Sequence, residues 1–216
     1  MLIRADRFER HYAWRVTAEP KARVGRGPRV KGTRLRGAIL RRAADLASLD
    51  GLNQVSLGQL AAAMQMSKSG LYAYFTSKED LQLATIEAAW QVFEELVLQP
   101  GDAALDALLE RWISYYEHEV FPGGCLLVTA STEFANRDGP VHEALAAANE
   151  RQLEALQEAI VEAGDGRPSS DIEARQLAFE LHAILTAGNE RFRFTRDPAA
   201  FAQTRTAISR LLRLLG

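Results

Sequence analysis

A chain of 216 residues with 47% hydrophobic content can bury one sizeable core, or one small and one larger, and does not belong with disordered proteins. Its formal net charge of -2 hides two opposite parts: residues 1–80 hold 15 Lys/Arg against 7 Asp/Glu (+8), and residues 81–216 hold 11 against 21 (-10). The basic head carries all four lysines (Lys21, Lys31, Lys68, Lys78) and suits a phosphate-bearing partner, which the acidic body would repel.

One cysteine, Cys125, excludes an intrachain disulfide and fits a reducing compartment. The first ten residues are charged throughout, and no segment nears the roughly 18 uninterrupted apolar residues of a membrane span, so a cytoplasmic protein is expected. Residues 1–32 read as a basic extension. Ala5 to Val16 has the spacing of a short amphipathic helix, and Pro20, Gly25, Gly27, Pro28 and Gly32 mark an open linker. Nine basic residues and no acid lie between Lys21 and Arg42. Two readings stay open: an arm along the phosphate backbone or minor groove, and a solvated tail.

Thr33 is placed to cap a helix to Leu49 with an apolar stripe of Leu35, Ile39, Leu40, Ala43, Leu46 and Ala47, stopped by Gly51. Ser56 can cap a short helix through Leu57, Leu60, Ala61 and Met64. Ser67 can cap another, with Leu71, Tyr74 and Phe75 inward and Lys68, Ser69, Gly70 and Tyr72 outward. Two short helices joined by three or four residues form a helix-turn-helix, whose natural target is a DNA groove. Ser77, with Asp80, opens a long helix to about Leu98; Pro100-Gly101 ends it, and Asp102 opens the next, with Leu105, Leu108, Leu109, Trp112, Ile113 and Tyr116 on one face. Helices are then expected from Cys125 to Phe134, from Val141 to Ala163, from a cap at Asp171 to about Gly188, and from Pro198 to Leu215. No stretch alternates long enough for a strand, so the chain is expected to be all-α, with about nine helices.

Ala38-Ile39-Leu40, Ala43-Ala44, Gly51, Ser56, Leu60-Ala61, Ser67 to Phe75 and Ser77 to Leu81 together resemble the N-terminal DNA-binding domain of the TetR family of bacterial transcriptional regulators. About fifty consecutive positions share order and register, which is far more specific than a lone helix-turn-helix pattern. One departure stands out. The turn position usually held by Gly in that family is Gln65, so either the turn is built differently or Gln65 accepts left-handed strain. The resemblance implies a DNA-binding domain over 33–80 and an effector-binding and dimerisation domain over 81–216.

In the head, Ser67, Lys68 and Ser69 begin the recognition helix, where side chains meet base edges, and Gly70 lets the backbone come close. Thr33, Ser56, Tyr72 and Lys78 suit phosphate contacts; Tyr74 is either such a contact or core packing with an outward hydroxyl. One module reads one half-site, so a homodimer on a palindromic operator is mechanically favoured. The resemblance assigns its interface to the last two helices, at Leu181, Leu185, Gly188, Ile208, Leu211 and Leu212. Trp90, Phe93, Trp112, Tyr116, Phe121 and Phe134, with Cys125 and Thr129, are either ordinary core or the lining of an apolar cavity for a small-molecule effector.

Catalysis has little to stand on. The four histidines (His11, His118, His142, His182) show no metal-ligand spacing, no phosphate-cradling loop follows a strand, and Cys125 has no base at a recognisable spacing. No enzyme activity, metal or cofactor is expected. Two classes remain: a ligand-responsive, sequence-specific DNA-binding repressor, and an architectural protein that binds DNA without sequence choice through its basic head.

Overall fold

The computed structural model describes residues 28–98, 104–163 and 170–213. Among them are nine α-helices, one π-helical turn and no strand, so the chain is all-α as its periodicity implies. The helices gather into two compact units. One joins the described residues up to Val92 with Val120–Ala144; the other joins Phe93–Glu119 with the described residues from Leu145 onward.

The first unit is built on α1 (Pro28–Asp50), α2 (Leu57–Ala63), α3 (Lys68–Tyr72), the body of α4 (Lys78–Phe93), α6 (Leu126–Phe134) and the start of α7 (Pro140–Ala163). The cap expected at Thr33 is not one, because α1 has already begun at Pro28. A proline fits the first helical turn, where its missing N–H would have no partner. Thr33 therefore lies inside α1 and is exposed. The helix expected over Ala5 to Val16 lies outside the described residues. Gly51, at φ 94°, ends α1 and returns its N–H to the Ala47 carbonyl at 3.0 Å, a left-handed stop that a side chain would strain.

Ile39, Ala43, Ala47, Leu52, Leu60, Leu71, Phe75 and Leu81 form the core of this unit. Burying a side chain such as Phe75 contributes roughly 1.5–3 kcal/mol, and the Arg36 guanidinium lies 5.3 Å over the Phe75 ring. The helix-turn-helix is thus held by α1 beneath it. Leu35, expected on the α1 stripe, is instead exposed, since the stripe turns away from the core at its N-terminal end. Residues far apart in sequence close the unit. Ser48, fully buried in α1, accepts the Gly123 N–H at 3.0 Å and donates to the Asp45 carbonyl at 2.8 Å, and Glu133 of α6 accepts the Asn53 N–H at 3.1 Å.

The second unit contains the π-helical turn Glu94–Leu98, α5 (Leu105–Glu117), the rest of α7, α8 (Asp171–Thr195) and α9 (Ala199–Arg213). The opening expected at Asp102 lies outside the described residues. The cap of α8 is Ser170 rather than Asp171: the Ser170 hydroxyl accepts the Glu173 N–H at 3.3 Å, and Asp171 begins the helix proper. Both are good capping residues, and Asp171 one place later still favours the positive helix end.

The α8–α9 pair is close. A methyl group on Gly188 would lie 2.0 Å from Thr204 Oγ1, so the missing side chain sets the spacing of the two helices. Arg205 of α9 joins α5 through Glu117 and Glu110; these hydrogen bonds raise its pKa further above the ordinary arginine value and keep it charged. Arg111 is buried and donates from Nε to the Val97 carbonyl at 2.8 Å, which supplies a partner for a carbonyl of the π-helical turn.

Candidate nucleic-acid interface

The local sequence builds the reading end of the first unit. Ser56 and Gln59 form a reciprocal capping box on α2: the Gln59 N–H reaches Ser56 Oγ at 3.2 Å, and Gln59 Oε1 accepts the Ser56 N–H at 3.1 Å. Ser67 caps α3 by accepting the Gly70 N–H at 3.0 Å, and its hydroxyl also bonds that of Ser69 at 3.1 Å. A methyl on Gly70 would lie 3.1 Å from the Ser67 hydroxyl, so this glycine leaves room for the cap itself. Between α2 and α3 the chain turns at Gln65, which adopts φ 53°. Of the two ways the sequence allowed, Gln65 accepts the left-handed conformation, at a cost of about 1–2 kcal/mol.

These constraints present one surface. Ser67, Lys68, Ser69 and Tyr72 are exposed, Gly70 and Tyr74 are half-buried, and Leu71 and Phe75 are wholly buried. Ser56 is half-buried at the start of α2, while Lys78 is exposed at the start of α4. Sequence reasoning missed a contact that Lys78 makes: its ammonium donates to the carbonyl of Asn53 and to Asn53 Oδ1, leaving one N–H for another acceptor. The start of α4 is also capped differently in detail. Ser77 Oγ accepts the Asp80 N–H at 3.0 Å, but the Asp80 carboxylate turns back to the N–H of Thr76, at 2.8 Å, not to that of Ser77. Exposed Arg34, Arg36, Arg41 and Arg42 on α1 add positive charge to this unit.

The eight residues considered for an effector cavity fall into two sets. Trp90, Phe121, Cys125, Thr129 and Phe134 belong to the first unit; all are buried except Thr129, which is half-buried and donates to the Cys125 carbonyl at 3.1 Å. Phe93, Trp112 and Tyr116 are brought together in the second. The Phe93 ring stands edge-on to Trp112 with centroids 4.8 Å apart, and the indole N–H donates to the Tyr116 hydroxyl at 2.9 Å. Among the described residues, no group of three or more His, Cys, Asp or Glu is placed to hold a metal ion.

Of the six residues assigned to a dimer interface, Leu181, Leu185, Gly188 and Ile208 are buried within the chain's own packing, and Leu211 and Leu212 are half-buried. The large apolar side chains left exposed on α8 are Ile172, Phe179 and Phe194.

Comparison with known proteins agrees with this geometry. Residues 39–85 match the family model described as bacterial regulatory proteins of the tetR family, and residues 101–208 match that of the tetracyclin repressor-like C-terminal domain. No curated protein matches the chain. Among solved structures, a TetR transcriptional regulator from Chloroflexus aurantiacus is similar at 23% identity and TM-score 0.75, over 85% of this chain and 96% of that one. A TetR-family regulator from Cytophaga hutchinsonii is similar at 21% identity and TM-score 0.72, over 90% and 98%. AibR, in complex with isovaleryl coenzyme A and operator DNA, is similar at 24% identity and TM-score 0.57, over 72% and 86%. At these identities the structural likeness concerns the fold, but the two family models between them match most of the sequence, and one alone spans half of it. The chain belongs to the TetR family of bacterial transcriptional regulators.

Proposed function

We propose that this DNA-binding regulator is a dimeric repressor that reads a palindromic operator through residues 33–80 and leaves it when a small molecule binds within residues 81–216. The observation that carries the reading is the exposed N-terminal end of α3. Ser67, Lys68, Ser69 and Tyr72 stand clear of a core that fixes their helix through Leu71 and Phe75, as base readout requires. Lys68 faces guanine acceptors, while Tyr72, Lys78, Ser56 and Thr33 meet phosphates. The dimer seam uses exposed Phe179 and half-buried Leu211 and Leu212, with Leu181, Leu185, Gly188 and Ile208 as the core beneath it. AibR, which binds both an acyl coenzyme A and operator DNA, lends support by analogy of fold. Among the described residues no helix is long and apolar enough to cross a membrane, in keeping with action in the cytoplasm.

The test is fluorescence anisotropy at near-physiological salt with DNA from upstream of the coding region and with a shuffled control. A preference of about a thousandfold or more is expected for a sequence-reading regulator. Lys68→Ala should erode that preference, whereas equal affinity for operator and random DNA in the unaltered protein would favour the architectural alternative.

A further inference from the structure

Four polar side chains of the second unit form a cluster in which Gln152 and Asn189 are buried and His182 and Thr186 half-buried. His182, Thr186 and Asn189 follow one another on α8 at spacings of four and three, so they stack along one flank of that helix. Gln152 of α7 meets this flank, its Oε1 3.3 Å from His182 Nε2, and Trp112 of α5 stands edge-on to the imidazole with centroids 5.8 Å apart. Three helices therefore converge on His182.

Three atoms in this cluster are buried without a hydrogen-bond partner: Gln152 Nε2, Thr186 Oγ1 and Asn189 Nδ2. Gln152 is 3% exposed and Asn189 2%. Folded proteins pair nearly all such groups, because an unmet buried donor destabilises the fold. Three of them on facing flanks of two helices form a set, not a scatter of packing defects. Their chemistry is that of donors: two amide NH2 groups and a hydroxyl. His182 spends its Nε2–H on Gln152, and burial holds its pKa below the ordinary value of 6.5, so the ring is neutral at pH 7. The cluster itself contains no Lys, Arg, Asp or Glu, and its neighbour Trp112 has its N–H taken by Tyr116. A carboxylate would find no counter-charge among these groups, nor would a cation.

We propose that Gln152, Thr186 and Asn189 are the donor end of the effector site, and that the effector is an uncharged molecule with a carbonyl-type acceptor, such as a ketone, ester or lactone, on an apolar body. The binding part stands on these residues alone; its consequence for DNA rests on the regulator reading above. The oxygen accepts from the two amides and the hydroxyl, and the apolar part lies toward the aromatic side chains of α5.

Full-length protein is titrated with 2-nonanone, γ-nonalactone and methyl octanoate, and with nonanoate and nonylammonium as charged controls, by tryptophan fluorescence and thermal melts. At least one neutral compound should bind tenfold or more tightly than either charged one. Gln152→Met, Thr186→Val and Asn189→Leu should each weaken it by about three- to tenfold, the worth of one hydrogen bond. Thr186→Val and Asn189→Leu should also raise the melting temperature of the ligand-free protein, by about 2–4 °C, because an unmet polar group is removed, whereas Gln152→Met also takes away the acceptor of the His182 Nε2–H and carries no such rise. Thr186→Val, nearly isosteric, carries the test if a larger change prevents folding. Failure of all three neutral compounds to bind, preference for a charged compound, unchanged affinity in the variants, or a lowered ligand-free melting temperature in Thr186→Val or Asn189→Leu would each overturn the assignment. Operator release is read separately. A compound that binds at these residues without loosening DNA refutes the effector role and leaves the site; one that loosens DNA with affinity unchanged in all three variants refutes the site and leaves the regulator.

Discussion

Gly123→Ala should be among the most damaging single changes in the first unit, although the residue has no side chain to lose. A methyl group there would lie 1.8 Å from the Ser48 carbonyl oxygen, 2.2 Å from its carbon and 2.7 Å from the Leu49 nitrogen, all backbone of α1. Ordinary contact begins at 3.4 Å, so the segment around residue 123 must retreat by about 1.6 Å (3.4 less 1.8). That movement takes the Gly123 N–H out of reach of Ser48 Oγ, now 3.0 Å away, and leaves a buried donor unmet, at about 1–3 kcal/mol. Overpacking costs about 1–3 kcal/mol more. The total, about 2–6 kcal/mol, is a large part of a typical stability of 5–15 kcal/mol. For a chain of this length it corresponds to a fall in melting temperature of roughly 5–20 °C, measurable by circular dichroism. Ser48→Ala alone should cost only the hydrogen bond, and it should not rescue Gly123→Ala, because the clash is with backbone. A Gly123→Ala protein that melts within about 2 °C of the original, or one rescued by Ser48→Ala, would refute the reasoning.

Gly188→Ala meets a different obstacle, the Thr204 side chain at 2.0 Å, so Thr204→Ala should restore most of the lost stability in a double-mutant cycle. A cycle with no coupling would place the clash elsewhere. Gln65→Gly should stabilise the protein by about 0.5–1 kcal/mol, the left-handed strain relieved less the added freedom of the unfolded chain, as read by urea denaturation. A loss of stability would show that the Gln65 side chain contributes more than its backbone costs. Burial lowers the His182 pKa in the folded state, so the unfolded chain takes up the proton first as pH falls below 6.5. Stability should therefore fall from pH 6.5 down to the folded-state pKa and then level off with respect to this group. His182→Gln should flatten that part of the profile; an unchanged slope would assign it to other residues.

What the sequence made legible was what is encoded within a few residues. Ser56 and Ser67 announce their helices because a capping hydroxyl and its target N–H are three positions apart, and the spacing of Leu57, Leu60 and Ala61 follows from the helical turn. The same locality explains the errors. Thr33 and Asp171 are plausible caps by type, but the helices begin at Pro28 and after Ser170, where an equally suitable residue stands earlier in the chain. Ser48 with Gly123, and Glu133 with Asn53, are separated by 75 and 80 residues, and nothing in either segment names the other. Gln152 and Asn189 were illegible for another reason. Polar residues on amphipathic helices read as solvent-facing, and only the packed structure shows them to be buried.

The long-range pairs give the reading end its rigidity. Asn53 lies in the connection between α1 and α2 and is held from two directions: Glu133 of α6 accepts its N–H, and Lys78 of α4 donates to its carbonyl and side-chain oxygen. Gly51 tightens the same place, since any side chain there would meet the Glu133 carboxylate at 3.1 Å. The entry to α2 is therefore set by α6 as much as by α1, and Ser48 fixes the segment preceding α6 against the end of α1. A displacement of α6 and the segment before it by about 1 Å would stretch the Asn53–Glu133 and Gly123–Ser48 hydrogen bonds, and loss of the buried Gly123 bond alone would cost about 1–3 kcal/mol, which favours movement of α6 together with the entry to α2. Within this unit the position of the helix-turn-helix is accordingly a property of residues 120–144 as well as of residues 33–80.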